Sequence, residues 1–336
     1  MIYQAARPAL FLLPPEKAHA LTLNAVRLLG TCAPRRPAAA STPVHAFGLE
    51  FPNRIGLAAG FDKNGMAVDG WFALGFGHVE VGTVTPRPQP GNPLPRVFRL
   101  PAANAVINRM GFPNDGAERI VARLRARKSA GVLGVNIGKN ATTPLERAID
   151  DYVACLRTVY PVADYITVNV SSPNTAGLRS LQDAGHLVPL LTGVLEEARA
   201  LEKIHSRHVP LLVKLSPDMA EAELRKTAAA AASVPVAGII ATNTTLSREA
   251  VTGQPHAQEA GGLSGRPLFA KSTAAIRILR ETLGPSMPLI GVGGVSSGAD
   301  AQALRRAGAD LVQIYTGLIY RGPGLACEIA RALANL

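Results

Sequence analysis

Residues 289–317 read LIGVGGVSSGADAQALRRAGADLVQIYTG. The stretch opens on an apolar run, Leu289–Val292, which stops at Gly293-Gly294. Helical periodicity follows over Gly298–Ala307, and a second apolar run, Leu311–Tyr315, stops at Thr316-Gly317. A short run that is apolar almost throughout is the pattern of a parallel strand covered on both faces. One such unit suits several α/β folds, and its repetition decides among them.

Working upstream, strands are expected at Gly238–Thr242, Leu211–Leu215, Tyr165–Val170, Val132–Ile137, His78–Gly82 and Ile55–Ala58. Between them, Lys271–Leu283, Ala220–Ala232, Leu187–His205, Pro144–Val159 and Ala117–Lys128 carry helical periodicity. Eight strand–helix units specify a closed (β/α)8 barrel better than an open sheet. A doubly wound sheet would show fewer strands, or a Gly-x-Gly-x-x-Gly turn after the first one, and Gly56–Gly60 does not fit that turn. The expected organisation is a small helical extension over residues 1–40 and one barrel over 41–336.

The chain has 336 residues, 47% of them hydrophobic, which is ample for a large core. Its three cysteines, Cys32, Cys155 and Cys327, are far apart and form no disulfide framework or metal motif, so a reducing compartment is expected. The formal charge of +11 points to anionic partners. A phosphorylated cofactor, an anionic substrate or an anionic membrane surface would each satisfy it, as would a basic surface with no specific role. No Lys- or Arg-rich tract or nucleic-acid motif is visible, so nucleic acid is not an expected partner. No segment reaches the roughly 18 consecutive apolar residues of a spanning helix. The run Ala9–Leu13 is short and followed by Pro14-Pro15, unlike a secretory signal.

The extension reads as two helices, Tyr3–Leu13 and Pro15–Leu29. The second sets Ala18, Leu21, Ala25 and Leu28 on one face. Through residue 40, Arg7, Lys17, Arg27, Arg35 and Arg36 stand against Glu16 alone. An apolar face beside basic residues fits a hairpin lying in a membrane interface, although a hairpin packed on the barrel would also account for it. Thr31–Pro43, rich in Pro and Ala, reads as the linker.

Barrel sites lie at the C-terminal ends of the strands, and three features of those ends matter. First, Gly291–Gly294 and Tyr315–Gly317 follow the last two strands, where barrels bind phosphate through loop amides. Second, Asn136, Asn169, Asn174 and Asn243, with Asn108 in the insertion after strand two, cluster there. Amides present both donor and acceptor and suit a planar ligand such as a pyrimidine or an isoalloxazine. Third, Lys63 and Lys214 stand at strand ends while no histidine does, which argues against a metal-dependent hydrolase. Lys214 suits either a Schiff-base lysine or a fixed charge beside a flavin.

The strings GLAAGFDKNG, GTVTPRPQPGNPLPRVFRL, NRMGFPN, VNIGKN, VNVSSPNTAGLR, ATNTT, GGLSGRPL, GVGGV and VQIYTG run in order from about residue 55 to the end. They resemble the motifs of dihydroorotate dehydrogenases. Two features resemble the membrane-associated, quinone-reducing class: Ser172 stands where soluble members carry cysteine, and the PEKAHALT segment resembles that class's quinone-access extension.

The resemblance implies FMN held by Ala59, Gly60, Lys63, Thr83, Asn136, Asn169, Lys214, Thr242, Gly265, Gly294, Tyr315 and Thr316. Dihydroorotate or orotate would meet Lys63, Asn108, Arg109, Met110, Gly111, Phe112, Asn169, Asn174, Asn243 and Thr244. His19, Arg99 and Tyr315 match positions near the quinone route. Ser172 would be the base that takes a proton from C5 while C6 gives hydride to flavin N5, with Ser171–Arg179 as the lid. The implied protein is a monomer in pyrimidine biosynthesis, peripheral on the cytoplasmic face of the inner membrane. Two rivals stand beside it: a soluble member using fumarate or NAD, and a phosphate-binding barrel lyase with Lys214 as Schiff base.

Overall fold

A computed structural model describes residues 2–32 and 42–334. Two helices come first, α1 (Ile2–Leu12) and α2 (Pro15–Cys32), broken by Pro14-Pro15. Most of the expected linker falls on residues 33–41, outside the described residues. An antiparallel ribbon follows, β1 (Val44–Ala46) and β2 (Leu49–Phe51). The barrel begins with β3 (Ile55–Leu57), α3 (Val68–Ala73) and β4 (His78–Val84). An excursion then carries β5 (Val97–Leu100) and β6 (Ala105–Asn108) before α4 (Ala117–Arg125).

The repeat resumes with β7 (Val132–Ile137), α5 (Ala148–Val159), β8 (Tyr165–Asn169), α6 (Ala184–His205), β9 (Leu211–Leu215), α7 (Glu221–Ala232) and β10 (Gly238–Ala241). After β11 (Gly262–Gly265) come α8 (Phe269–Leu283), β12 (Leu289–Val292), α9 (Gly298–Ala307), β13 (Leu311–Ile314), α10 (Thr316–Arg321) and α11 (Gly324–Leu333). Eight strands close in the order β3-β4-β7-β8-β9-β10-β12-β13, and β5, β6 and β11 form a separate antiparallel sheet. All eight barrel strands of the sequence reading are present and in order.

The differences lie at the ends. β3, β8, β10 and β13 each stop one residue early, because Ala58, Val170, Thr242 and Tyr315 already belong to the loops above the barrel. β4 instead runs on to Val84. α4 stops at Arg125 rather than Lys128, since the Asp69 carboxylate takes the Lys128 and Ser129 N–H groups at 3.0 and 2.8 Å. A 3-10 turn over Leu145–Arg147 delays α5 to Ala148.

The main core lies between strands and helices, and Phe47, Phe51, Tyr165 and Leu212 help to close the barrel floor. His78 is wholly buried beside Phe51, and that burial lowers its imidazole to about 3.

The hairpin docks edgewise. Val26 of α2 is buried against α3, where a Cβ on Gly70 would sit 1.9 Å from the Val26 carbonyl oxygen. On the predicted apolar face, Ala18, Leu21 and Ala25 line the space between the hairpin and the barrel, while Leu28 is 64% exposed; Leu12 of α1 is 88% exposed. Among the described residues no helix is long and apolar enough to cross a membrane.

Candidate active site

Strand alternation decides which residues reach the barrel mouth. The cavity there is walled by Ala58–Gly60 after β3, Asn169 at the end of β8 and Ser172 after it, Lys214 on β9, Thr242–Thr244 after β10, Gly293-Gly294 after β12 and Tyr315–Gly317 after β13. The excursion adds Asn108, Met110, Gly111 and Phe112 as one side wall, while Thr83, Asn174 and Gly265 complete the expected set.

Two predicted residues stand apart. Asn136 does not line the cavity, because its Oδ1 accepts from Thr83 Oγ1 at 2.6 Å and its Nδ2 donates to Glu80 at 2.9 Å. The Arg109 guanidinium turns outward to Glu259 at 2.7 Å and lies 4.7 Å from the Phe98 ring centre.

The Ser172 hydroxyl accepts the Asn174 N–H at 3.2 Å, and among the described residues it donates to no protein group. Asn174 Nδ2 donates to Asn108 Oδ1 at 3.2 Å, joining the Ser171–Arg179 loop to the excursion. Arg179 clamps the other end of that loop, donating to the Ser171 and Thr244 carbonyls at 3.1 and 2.8 Å and pairing with Asp218 at 2.9 Å. Lys63 Nζ donates to the Gly60 carbonyl at 2.5 Å, and burial lowers its ammonium to about 8, with the Glu16 carboxylate pulling the other way. Burial likewise lowers Lys214, again with a carboxylate, Glu80, opposing.

A second cavity of about 710 Å³ opens between the hairpin and the barrel, a size that suits a small-molecule ligand. Apolar side chains dominate it, and His19 and Arg99 are in its wall. Burial lowers His19 to about 4, so its ring is neutral beside Phe61 at neutral pH. Arg99 donates to the Leu10 and Leu13 carbonyls and stacks over Phe11, holding the bend of the hairpin. Four residues, Lys63, Asn108, Met110 and Tyr315, line both cavities. The two are therefore neighbours across one thin wall.

The motif strings around this mouth resemble one family, and comparison with known proteins gives the same family. The family model described as dihydroorotate dehydrogenase matches residues 41–336. The chain belongs to the dihydroorotate dehydrogenase family. Relatives named dihydroorotate dehydrogenase (quinone) from Burkholderia pseudomallei (strain 668) and Burkholderia mallei (strain SAVP1) are each 55% identical over 340 residues, covering 99% of this chain and 98% of theirs. The structure of the Eimeria tenella enzyme in complex with ferulenol superposes with a TM-score of 0.88 at 38% identity, over 96% of this chain and 91% of that one. Its ligand-free form gives 0.89 at the same identity, over 96% and 94%.

Dihydroorotate dehydrogenases are flavoproteins, and the cavity suits such a group. Gly294, at φ +75°, lies so close to α8 that a Cβ would meet the Phe269 nitrogen at 2.5 Å, leaving backbone alone at that edge. Among the described residues Gln313 Oε1 is buried without a partner, in a side chain that lines the cavity, an acceptor left for a bound group. Sequence reasoning passed over Gln313 although it lies in VQIYTG; a lone amide in an apolar strand was the available signal. It also passed over Ser264, which receives the Thr316 hydroxyl at 2.8 Å. β11 is short and pairs with a strand some 150 residues upstream, so nothing local marked it.

Proposed function

We infer that the chain oxidises dihydroorotate to orotate, holds FMN at the barrel mouth and discharges the electrons to a membrane quinone. One observation carries this reading: a polar cavity holding Ser172, Asn174, Asn243 and Lys214 shares a wall with a separate apolar cavity under the hairpin. The two half-reactions thereby have separate rooms.

Ala59, Gly60, Thr83, Lys214, Thr242, Gly265, Gly294, Tyr315 and Thr316 would hold FMN, and Asn136 would act behind them through Thr83 and Asn169. When bound, FMN supplies the hydride acceptor and the electron path to the quinone. Lys63 offers its ammonium to the substrate carboxylate, and Asn108, Asn174 and Asn243 offer amide edges to the ring. Ser172 would take the C5 proton while its own hydroxyl proton, donated to no protein group among the described residues, leaves to a solvent molecule; the loop held by Arg179 keeps the hydroxyl in place for that exchange. Lys214 contributes a buried positive charge on the cofactor side. Arg109 supports this wall through its Glu259 pair rather than by touching the substrate.

The exposed Leu12 and Leu28 favour the hairpin as the membrane-facing part of the same reading, which would make the protein peripheral to a membrane. The test is an acceptor comparison with the purified protein. Dihydroorotate oxidation should proceed with a quinone and be negligible with fumarate or NAD. Turnover with either soluble acceptor in place of the quinone would replace this reading with that of the soluble class.

A further inference from the structure

The Ser171–Arg179 loop carries Ser172, and its two limbs are held differently. Arg179 anchors one limb through the Ser171 and Thr244 carbonyls and Asp218. On the other limb Asn174 faces the excursion, and among the described residues two hydrogen bonds cross between them. Asn174 Nδ2 donates to Asn108 Oδ1 at 3.2 Å, and Asn92 Nδ2 donates to the Asn174 carbonyl at 3.3 Å.

The first bond joins two side chains that line the polar cavity. Both turn to the pyrimidine in the reading above, so this tie is open to exchange when substrate arrives. The second uses a backbone carbonyl and a residue that lines neither cavity. It can stay made over an occupied site.

Asn92 is braced for that task. Its N–H donates to the Met110 carbonyl at 2.9 Å, and its own carbonyl accepts from the Arg96 guanidinium at 2.9 Å. Its carboxamide packs on Gly111, where a Cβ would meet Asn92 Cγ and Oδ1 at 2.7 Å. An amide nitrogen has two protons to give, and here one goes to the Arg109 carbonyl at 2.8 Å and the other to the Asn174 carbonyl. Both neighbours are carbonyl oxygens, so only the nitrogen end can face them. The excursion is itself firm, since Gln89 Nε2 donates to the Gly111 and Phe112 carbonyls at 3.0 and 3.1 Å. Asn92 therefore ties the loop to a fixed wall. The effect reaches Ser172 through Asn174, whose N–H donates to the Ser172 hydroxyl at 3.2 Å.

We propose that Asn92 is a positioning residue: it latches the Ser172 loop to the excursion over a bound pyrimidine and keeps the serine hydroxyl within reach of the substrate. The proposal rests on the dihydroorotate reading above.

The experiment uses the full-length, flavin-loaded protein. Stopped-flow absorbance times flavin reduction by saturating dihydroorotate, the release of orotate, and reoxidation by a quinone. Asn92→Ala keeps the N–H that meets Met110 and removes the latch. Reduction should slow and orotate should leave faster, each by about three- to tenfold, the worth of one hydrogen bond. Quinone reoxidation should keep its rate.

Asn92→Asp keeps the shape but sets a carboxylate against two carbonyl oxygens, which raises the pH at which it takes up a proton. Reduction should slow about tenfold or more near pH 8, and its ratio to the wild-type rate should rise as the pH falls to about 5, where a protonated carboxyl again donates. Asn92→Ala should show no such recovery.

Wild-type reduction and release in both variants, or a ratio for Asn92→Asp that stays flat with pH, would overturn the proposal. Parallel slowing of reduction and quinone reoxidation, or loss of flavin from both variants, would overturn it too, because Asn92 would then support the fold and not the loop. A wild-type protein whose flavin dihydroorotate does not reduce would instead overturn the underlying reading and take this proposal with it.

Discussion

At the barrel mouth, polar side chains are fixed by hydrogen bonds to one another and to parallel strands; beneath the hairpin, apolar side chains from two helices face a half-open space. The mouth inherits its geometry from a closed barrel, where each residue's direction is set by strand register. The hairpin cavity depends on docking instead: Val26 against α3, Tyr3 OH to the Ile319 carbonyl at 2.5 Å, Arg7 to the Tyr320 carbonyl at 2.9 Å, and the Glu16–Arg96 pair at 3.0 Å. Chemistry that needs fixed angles belongs in the first region. A site that admits a long apolar molecule tolerates the looser construction of the second.

The comparison breaks if one region's substitutions alter the other's half-reaction. The largest effect is expected at Ser172. Ser172→Ala should keep flavin bound and slow its reduction by dihydroorotate by roughly 10²–10⁴-fold, the worth of a positioned base. Stopped-flow absorbance would report this, and reoxidation by quinone should be unchanged.

Filling the second cavity should do the reverse. Ala18→Phe places a ring among the lining residues of α2 and should slow reoxidation by a long-chain quinone about tenfold or more, the rate equivalent of the roughly 1–3 kcal/mol that an intruding side chain costs. Flavin reduction by dihydroorotate should keep its rate. Equal slowing of both steps would mean that the cavities are not functionally separate.

Lys63, on the shared wall, sharpens the comparison through pH. Burial lowers the free ammonium to about 8, so above that pH the group is increasingly neutral before an anion arrives. Orotate affinity should hold steady below pH 8 and fall by up to about tenfold per unit above it. Lys63→Met should weaken binding and flatten the profile. The smallest effect is expected on the outer face. Leu28→Glu should lower co-sedimentation with anionic vesicles by a few fold without changing either half-reaction in detergent.

How much of this was legible from residues alone follows the same division. The eight strands were readable because parallel strands buried on both faces are apolar along their length, as Val132–Ile137 and Leu211–Leu215 are. The mouth was readable because Asn169, Lys214 and Asn243 interrupt such runs with groups that need a reason to be there. Side-chain direction was not. Arg109 sits among site residues in NRMGFPN, yet Glu259, 150 positions away, draws it outward. Glu80 lay in plain view within a strand, but its partners come from β7, β8 and β13 and meet only when the barrel closes. The antiparallel sheet was missed for the same reason, since β11 joins β6 from far along the chain. The apolar cavity has no local mark at all; small and aliphatic residues on α2 look alike whether they enclose a space or fill one.

The wall formed by Lys63, Asn108, Met110 and Tyr315 carries a consequence for inhibition. On the proposed function, a molecule lodged under the hairpin would not compete with the pyrimidine for space, yet it would lean on side chains that the pyrimidine would also meet. Linkage makes that influence mutual: whatever factor an occupant of one room imposes on affinity in the other is returned in full. An inhibitor matched to the apolar room would thus hold more or less tightly according to what fills the polar one, and its apparent potency would shift with dihydroorotate concentration although the two never touch.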